Sequence, residues 1–502
     1  MATTSSIHDL KTLILSYHPV VTIETMEEDR ARSLVRAAAK SLDLGFFEWS
    51  ITRGLVMAPN PRAINATNDP FKLLRHIEGL TVEAVFLLKD LSVHLGEPAI
   101  ARQFRELSQR FTRTRSTLIL TGESVTLAPA LENGAVRYHL ALPGREELRA
   151  TMEAVLHSLR EGGRIKMALG PEEIERLLDA MRGMTINQAR QAVAHAALEN
   201  GALDPRDIAR MLEMKARAIS EGGLLEYYPP GDNDSALGGF ERLKEWLERA
   251  QLGFSKEAQD LNLSPPKGIL LVGVQGCGKS LASKAIARAW ELPLLRLDAG
   301  GLYDKFIGET EKRFRKAIEL AESMAPVVLW IDEIEKGMTP PSGQAADGGV
   351  SQRLFGAFLT WLQEKKEKVF VVATANDVFS LPPELLRKGR FDEIFFVDLP
   401  EAEERRTIFE IHLALRKQDA ARFDLPALVS ASEGFSGAEI EQAVIAGLYR
   451  ALHDKRPLTT EHLLQEIKET LPLSITRRED IDRLRPRKIR GSDPDPSTHD
   501  CA

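Results

Sequence analysis

Short apolar runs alternate with helix-length amphipathic stretches twice along this chain. In the first part, Val20–Thr25 (VVTIET), Ala84–Leu88 (AVFLL) and Thr117–Thr121 (TLILT) read as buried strands, with Arg30–Leu44 and Ala101–Phe111 as helices. Such alternation predicts a mostly parallel sheet covered by helices. Residues 146–218 lose the strand signal and read as helical, broken at Gly162–Gly163, Gly201 and Pro205. Glu221–Gly239, rich in Gly, Pro, Asp and Asn, reads as a connection. The alternation then restarts, with strands expected at Gly268–Val272, Leu294–Leu297, Val327–Ile331, Val369–Ala373 and Glu393–Val397. The expected division is an α/β domain over 1–145, a helical segment over 146–218, a linker over 219–235, a second α/β domain over 236–398, a helical segment over 399–472 and a polar, basic tail over 473–502.

The pattern suggests an internal repeat. Leu142-Pro143-Gly144-Arg145-Glu146-Glu147 echoes Leu399-Pro400-Glu401-Ala402-Glu403-Glu404, and Gly183 followed by Gln191-Ala192-Val193 echoes Gly434 followed by Gln442-Ala443-Val444. The echoes keep their order, each after an α/β block, which points to a degenerate duplication. Composition narrows the reading further. Lys plus Arg is 66 and Asp plus Glu is 73, a net charge of −7, so a global basic coat for nucleic acid is absent. Two cysteines, Cys277 and Cys501, make neither a disulfide scaffold nor a four-cysteine zinc site, and fit a reducing compartment. No apolar run approaches the ~20 residues of a membrane helix, and Asp9 and Lys11 interrupt the only candidate signal segment, so no membrane partner is expected.

Gly273-Val274-Gln275-Gly276-Cys277-Gly278-Lys279-Ser280 fits G-x-x-x-x-G-K-[ST], between an apolar strand and an alanine-rich helix, Leu281–Trp290. Glycines let the backbone curl so that successive N–H groups meet phosphate oxygens, and the helix N-terminus adds a favourable field. In this pattern Lys279 supplies charge to the β- and γ-phosphates and the Ser280 hydroxyl ligates Mg²⁺, so ATP and Mg²⁺ are the expected cofactors. Val327-Val328-Leu329-Trp330-Ile331 runs into Asp332 and Glu333. A strand end beside a phosphate loop is where a metal-supporting Asp and a water-polarising Glu are needed.

On these residues, 236–470 resembles an AAA ATPase module of the branch containing the membrane proteases and segregation-type unfoldases. The resemblance implies a P-loop α/β fold, a parallel sheet with helices on both faces plus a helical lid. Asp332-Glu333 resembles the Walker B pair, and Thr374-Ala375-Asn376 resembles sensor 1, with Asn376 orienting water. Leu385-Leu386-Arg387-Lys388-Gly389-Arg390-Phe391-Asp392 resembles the segment whose arginines, here Arg387 and Arg390, reach the next subunit's γ-phosphate; planar guanidinium suits that task. The nucleotide contacts implied are Gly273, Gly276, Cys277, Gly278, Lys279, Ser280 and Leu281, with Leu237-Gly238 along the adenine, His412 at the ribose or base and Gly437-Ala438 from the lid. Phe306-Ile307-Gly308 resembles the pore loop that grips substrate, and the family pattern implies a ring of six copies. Trp361-Leu362-Gln363-Glu364-Lys365-Lys366 departs from the pattern, lacking the Asp-Gly turn before sensor 1. The absence of H-E-x-x-H excludes an attached zinc protease.

Laid over the second half, Val20–Thr25 runs into Met26-Glu27-Glu28-Asp29-Arg30, which has no glycine and three carboxylates, and Ala84–Leu88 runs into Lys89-Asp90 rather than Asp-Glu. Residues 1–218 therefore read as a degenerate AAA-like module that cannot hold nucleotide this way, or as an unrelated small α/β adaptor. A degenerate half before one intact module resembles the AAA proteins of cyanobacteria and some algal plastid genomes. That implies an ATPase of the cytoplasm or plastid stroma, tied to photosynthetic or carbon-acquisition physiology. Three functions stay open: a ring that threads or remodels proteins, a nucleic-acid motor or loader, and a nucleotide-gated scaffold. The nucleic-acid reading rests on Arg477–Arg490 (RREDIDRLRPRKIR), which has no aromatic residue to stack a base.

Overall fold

Strand-forming apolar residues fall where the alternation places them, and a few more strands join them. The computed structural model describes residues 2–484 except 59, 61, 162–165, 168–169, 200–201, 204–205, 222, 231–239, 301–308, 338–349 and 388. The chain divides into two compact units, 1–214 and 215–502.

The first unit holds strands β1 (Val20–Glu24), β2 (Gly45–Ser50), β3 (Gly54–Met57), β4 (Ala84–Lys89), β5 (Thr117–Gly122) and β6 (Ala135–Arg137). They form one sheet in the order β3-β2-β4-β5-β1-β6, parallel except for the β2–β3 hairpin. Helices Glu28–Ser41 and Pro98–Phe111 cover it, and Phe47, Phe86 and Phe111 stack in its core. Helices Arg145–Glu161, Pro171–Met181 and Ile186–Glu199 follow, closing a separate apolar cluster around Leu148, Leu177 and Val193.

In the second unit, strands β7 (Leu225–Tyr228), β8 (Gly268–Gly273), β9 (Leu294–Asp298), β10 (Val327–Asp332), β11 (Val369–Ala375) and β12 (Glu393–Val397) lie in the order β12-β8-β11-β10-β9-β7, parallel except β7. Helices Glu241–Gln251 and Lys279–Ala289 pack on the face formed by Ile269, Leu271, Leu294, Val328 and Val372. The alternate residues Leu270, Leu295, Leu329 and Val371 are also buried, as expected of a sheet covered on both faces. Helices Ala402–Leu415, Leu425–Ala431, Gly437–His453 and Thr460–Glu469 form a lid with its own core at Phe409, Leu428, Val444 and Leu463.

The two units share a topology. The five parallel strands of each six-stranded sheet, taken in chain order, lie in it as second, third, fourth, first, fifth; the first unit adds a short parallel pair, Lys166–Met167 with Ala202–Leu203. The repeats also share caps. Ser436 and Glu439 cap Gly437–His453 reciprocally, and Thr185 with Gln188 does the same for Ile186–Glu199. The third parallel strand of each unit is followed by a left-handed acidic residue, Asp90 (φ 56°) and Glu333 (φ 48°).

Two expectations are corrected. Leu225–Tyr228 falls inside the stretch assigned to the linker, yet it is an edge strand with Leu225 and Tyr227 buried. The flanking Gly and Pro signals masked a short β-forming run. The segment after 473 is not simply a polar tail: Leu473–Thr476 and Arg478–Leu484 are helical, Ile481 packs beside Val274 and Cys277, and Arg483 lies over the Phe379 ring. Among the described residues, no helix is long and apolar enough to cross a membrane.

Candidate active site

The turn after β8 is shaped by its glycines. A Cβ on Gly273 would lie 2.0 Å from the Val397 carbonyl of the neighbouring strand, so only glycine lets β8 run this close before turning. Gly276 (φ 81°) and Gly278 (φ 90°) then hold left-handed backbone. The first helical hydrogen bond runs from Ala282 N to Gly278 O at 2.8 Å, so the amides of Lys279, Ser280 and Leu281 are left at an open helix end. The buried Lys279 Nζ donates to Gly273 O at 2.7 Å and Val274 O at 2.8 Å. Burial lowers its pKa, opposed in part by Cys277 and the carboxylates of Glu335, Asp332 and Glu333. Burial also pushes the Cys277 thiol up to about 12, so it packs as a neutral side chain.

The carboxylates come from the next strands. Asp332 ends β10, and its Oδ1 accepts from Thr374 Oγ1 of β11 at 2.9 Å. The same hydroxyl accepts from Glu333 N at 3.1 Å. Glu333 Oε1 accepts from Asn376 Nδ2 at 2.9 Å, and its Oε2 pairs with Lys336. Glu335 Oε1 accepts from Asn376 N at 2.9 Å, and burial raises the Glu335 pKa. Asn376 thus aims the Glu333 carboxylate with its side chain while its backbone is held by Glu335.

The lid closes the other side. Ala438 N donates to Gly276 O at 3.0 Å. His412 lies between Arg416 and Glu441, which pair at 2.8 Å, and burial lowers its pKa so that it stays neutral. A cleft of about 980 Å³ results, whose lining includes Gly276–Leu281, Asp332, Glu333, Asn376, His412, Gly437 and Ala438. Its lining divides by chemistry. Phe240, Leu399, Ile408 and Ile411 offer an apolar slot at the lid, and Lys279, Ser280, Asp332, Glu333 and Asn376 offer polar groups at the strand ends. That division suits a nucleotide, with base against apolar wall and phosphates at the open helix end. A hydroxyl and a carboxylate, Ser280 and Asp332, form the all-oxygen donor set that Mg²⁺ prefers.

Of the residues singled out from sequence, Gly273 shapes the loop from the strand end without lining the cleft. Arg387 and Arg390 do not line it either. Arg387 is exposed. Arg390, which the resemblance places at the next subunit's γ-phosphate, has partners in its own chain: its Nη1 donates to Leu359 O at 3.1 Å and it also bonds Gln363. Leu237, Gly238, Phe306, Ile307 and Gly308 lie outside the described residues. Phe240 and Ile408 were missed, because an apolar residue at a helix start or within a helix carries no chemical signal. Arg296, which touches Asp332, was missed although a charge inside the apolar run Leu294–Leu297 is itself a signal.

In the first unit the equivalent turn is filled by its own side chains. Glu27 Oε1 accepts from Ile186 N at 2.6 Å, at the helix end that corresponds to Gly437. Arg30 joins Glu27 at 3.2 Å and Glu147 at 2.9 Å, and donates to Ala141 O. Lys89 stands at the position of Asp332 and pairs with Glu48 and Glu28. An acidic turn facing a cation at the strand end reverses the charges that a triphosphate and Mg²⁺ require.

Residues 269–399 match the ATPase family associated with various cellular activities (AAA). Residues 6–140 match the SpoVK-like AAA ATPase N-terminal domain and residues 146–222 the second domain of the same proteins. The chain is 36% identical over 484 residues to the uncharacterized AAA domain-containing protein ycf46 of Guillardia theta, covering 96% of this chain and 94% of that one. It is 37% identical over 480 residues to the ycf46 protein of Pyropia yezoensis, covering 95% and 96%. A shorter likeness, 34% over 241 residues, covers 46% of this chain and 60% of the proteasome-activating nucleotidase of Saccharolobus islandicus. With the phosphate loop, the paired carboxylates and the lid in one cleft, and with the ycf46 relatives matched along nearly its full length, the chain belongs to the AAA ATPase family, its ATPase domain preceded by two SpoVK-like domains.

Proposed function

We propose that this protein is a Mg²⁺-dependent ATPase that forms a homo-hexameric ring and threads or remodels protein substrates, its first half serving binding or regulation. The observation that carries the reading is the Glu333 carboxylate, aimed by Asn376 beside the loop that holds Lys279. Lys279 and the open amides of the helix end take the β- and γ-phosphates, Glu333 accepts the proton of the attacking water, and Asn376 fixes its aim. Mg²⁺, held by Ser280 and by Asp332, would neutralise charge on the phosphate oxygens. The exposed Arg387 supports assembly, since a guanidinium outside the chain's own cleft suits a neighbour's γ-phosphate, and Arg390 follows three residues on. The likeness to a proteasome-activating nucleotidase favours protein over nucleic acid as substrate. Arg483, one of the basic residues behind the nucleic-acid reading, is stacked on Phe379. We further propose, from the resemblance of its layout to AAA proteins of cyanobacteria and algal plastid genomes, that it works in the cytoplasm or the plastid stroma with a tie to photosynthesis or carbon acquisition.

The test is sedimentation and turnover of the intact chain. Glu333→Gln with ATP sediments as a hexamer-sized species, and wild-type hydrolysis rises with unfolded protein. A monomer in every nucleotide state, or stimulation by DNA or RNA alone, overturns the reading.

A further inference from the structure

One face of the second sheet carries a polar chain across four neighbouring strands. Arg296 sits on β9, in register with Glu226 of the antiparallel edge strand β7 and with Trp330 of β10, so the three side chains share a face. Its Nη1 donates to Glu226 Oε2 at 3.1 Å, its Nη2 donates to Asp332 Oδ2 at 2.9 Å, and its guanidinium lies over the Trp330 ring at 4.9 Å. Thr374 already holds Asp332 Oδ1. Each oxygen of the Asp332 carboxylate therefore has its own donor, and rotation of the group is arrested. The edge strand has a second hold on the site. Tyr228 donates its hydroxyl proton to Glu226 at 2.9 Å, and its ring lies under Lys284 of the phosphate-loop helix at 5.0 Å.

The first unit supplies an independent observation. By strand order and register, Lys89 takes the place of Asp332 and Glu48 the place of Arg296, and these two pair at 2.9 Å. The pair is kept with its charges exchanged, so the residue on the second parallel strand tracks whatever charge stands at the end of the third. Where that end residue is the metal-binding acid, its partner is a planar guanidinium whose N–H directions are fixed in one rigid group, whereas a lysine ammonium, as Lys89 shows with Glu48 and Glu28, pairs with carboxylates as a point charge that does not set their orientation.

We propose that Arg296 is a positioning residue for Asp332, and that it ties the aim of this carboxylate to Glu226 on the strand by which the chain enters its ATPase unit. The inference rests on the ATPase reading above. Its reach is the Mg²⁺ response: a group that holds a metal ligand in place is worth about 10-fold or more in metal affinity.

The test uses the intact protein. ATP affinity is measured by calorimetry with and without Mg²⁺, and turnover is titrated with Mg²⁺, for wild type, Arg296→Met, Arg296→Lys, Glu226→Gln and the Arg296→Met/Glu226→Gln double variant. Arg296→Met raises the half-saturating Mg²⁺ concentration about 10-fold and shrinks the Mg²⁺-dependent gain in ATP affinity, while metal-free ATP binding stays as in wild type. Arg296→Lys does not restore the response. Glu226→Gln gives a smaller rise, and none on top of Arg296→Met, because it acts through that arginine. An unchanged or lowered Mg²⁺ requirement in soluble Arg296→Met or Arg296→Lys overturns the proposal, as does full rescue by lysine. Additive effects of Glu226→Gln overturn the part of the proposal that ties Asp332 to the edge strand. If wild type itself shows no Mg²⁺ response, the ATPase reading fails and takes this inference with it; if wild type responds and the variants match it, this inference alone fails.

Discussion

At the scale of single residues, the site works by holding charges that would otherwise disperse. Lys279 is buried against two carbonyls with its ammonium disfavoured by desolvation, so a triphosphate offers it better partners than it has. Lys279→Ala therefore loses saturable ATP binding, read by calorimetry. Glu333 is held in a left-handed conformation uncommon for a non-glycine residue, where Thr374, Asn376 and Lys336 all engage it. Glu333→Gln keeps its size and should keep ATP binding, with hydrolysis slower by about 10²-fold or more in single-turnover assays. Equal turnover by wild type and this variant would remove Glu333 from the chemistry.

Between elements, close approach and internal ion pairs decide what can be changed. β8 runs against β12 with the Val397 carbonyl where a Gly273 side chain would begin. Gly273→Ala must push two strands apart in a buried sheet, and should cost about 4 kcal/mol or more of stability in chemical denaturation. In the first unit, Arg30 ties the helix Glu28–Ser41 to the helix Arg145–Glu161 through Glu147, with Glu27 on its other side. All three side chains are largely buried, so removing the arginine leaves two carboxylates under-paired. Arg30→Ala should destabilise the first unit by about 2 kcal/mol, seen as an earlier transition in calorimetry, with ATP affinity at the second unit unchanged.

For the whole molecule, the shared topology of the two units carries one candidate site among the described residues. The first unit keeps the strand order, the lid caps and the left-handed acidic residue, but fills its turn with Glu27 and Arg30. Wild type should bind one ATP per chain, and Lys279→Ala none; a residual stoichiometric site in Lys279→Ala would reveal a different phosphate cradle in the first half. If the proposed ring assembles, Arg387→Ala should retain ATP binding and lose most turnover. Mixing it with Lys279→Ala should recover activity, because the second chain supplies the arginine and the first the intact loop. Without recovery on mixing, Arg387 serves no neighbour.

The phosphate loop, the paired carboxylates, Asn376 and the five parallel strands of the second unit are all legible in the amino-acid sequence, because each is written in a contiguous run. A loop of eight residues carries its own glycines, its charge and its flanking strand and helix, so its backbone path is locally specified. The echoes at 142–147 and 399–404 signal the shared topology for the same reason. Other features depend on which strands become neighbours, and that is settled by how helices pack across the sheet. Leu225–Tyr228 is a strand only because β9 offers it an edge and buries Tyr227. Arg296 meets Asp332 only because β9 and β10 lie side by side, although 36 residues separate them in the chain. Glu27 reaches Ile186 across 159 residues, and Arg390 finds Leu359 in its own chain, through folding alone. Side-chain chemistry and local backbone preference are properties of short segments, whereas partners for a charge are chosen by topology, which no short segment contains.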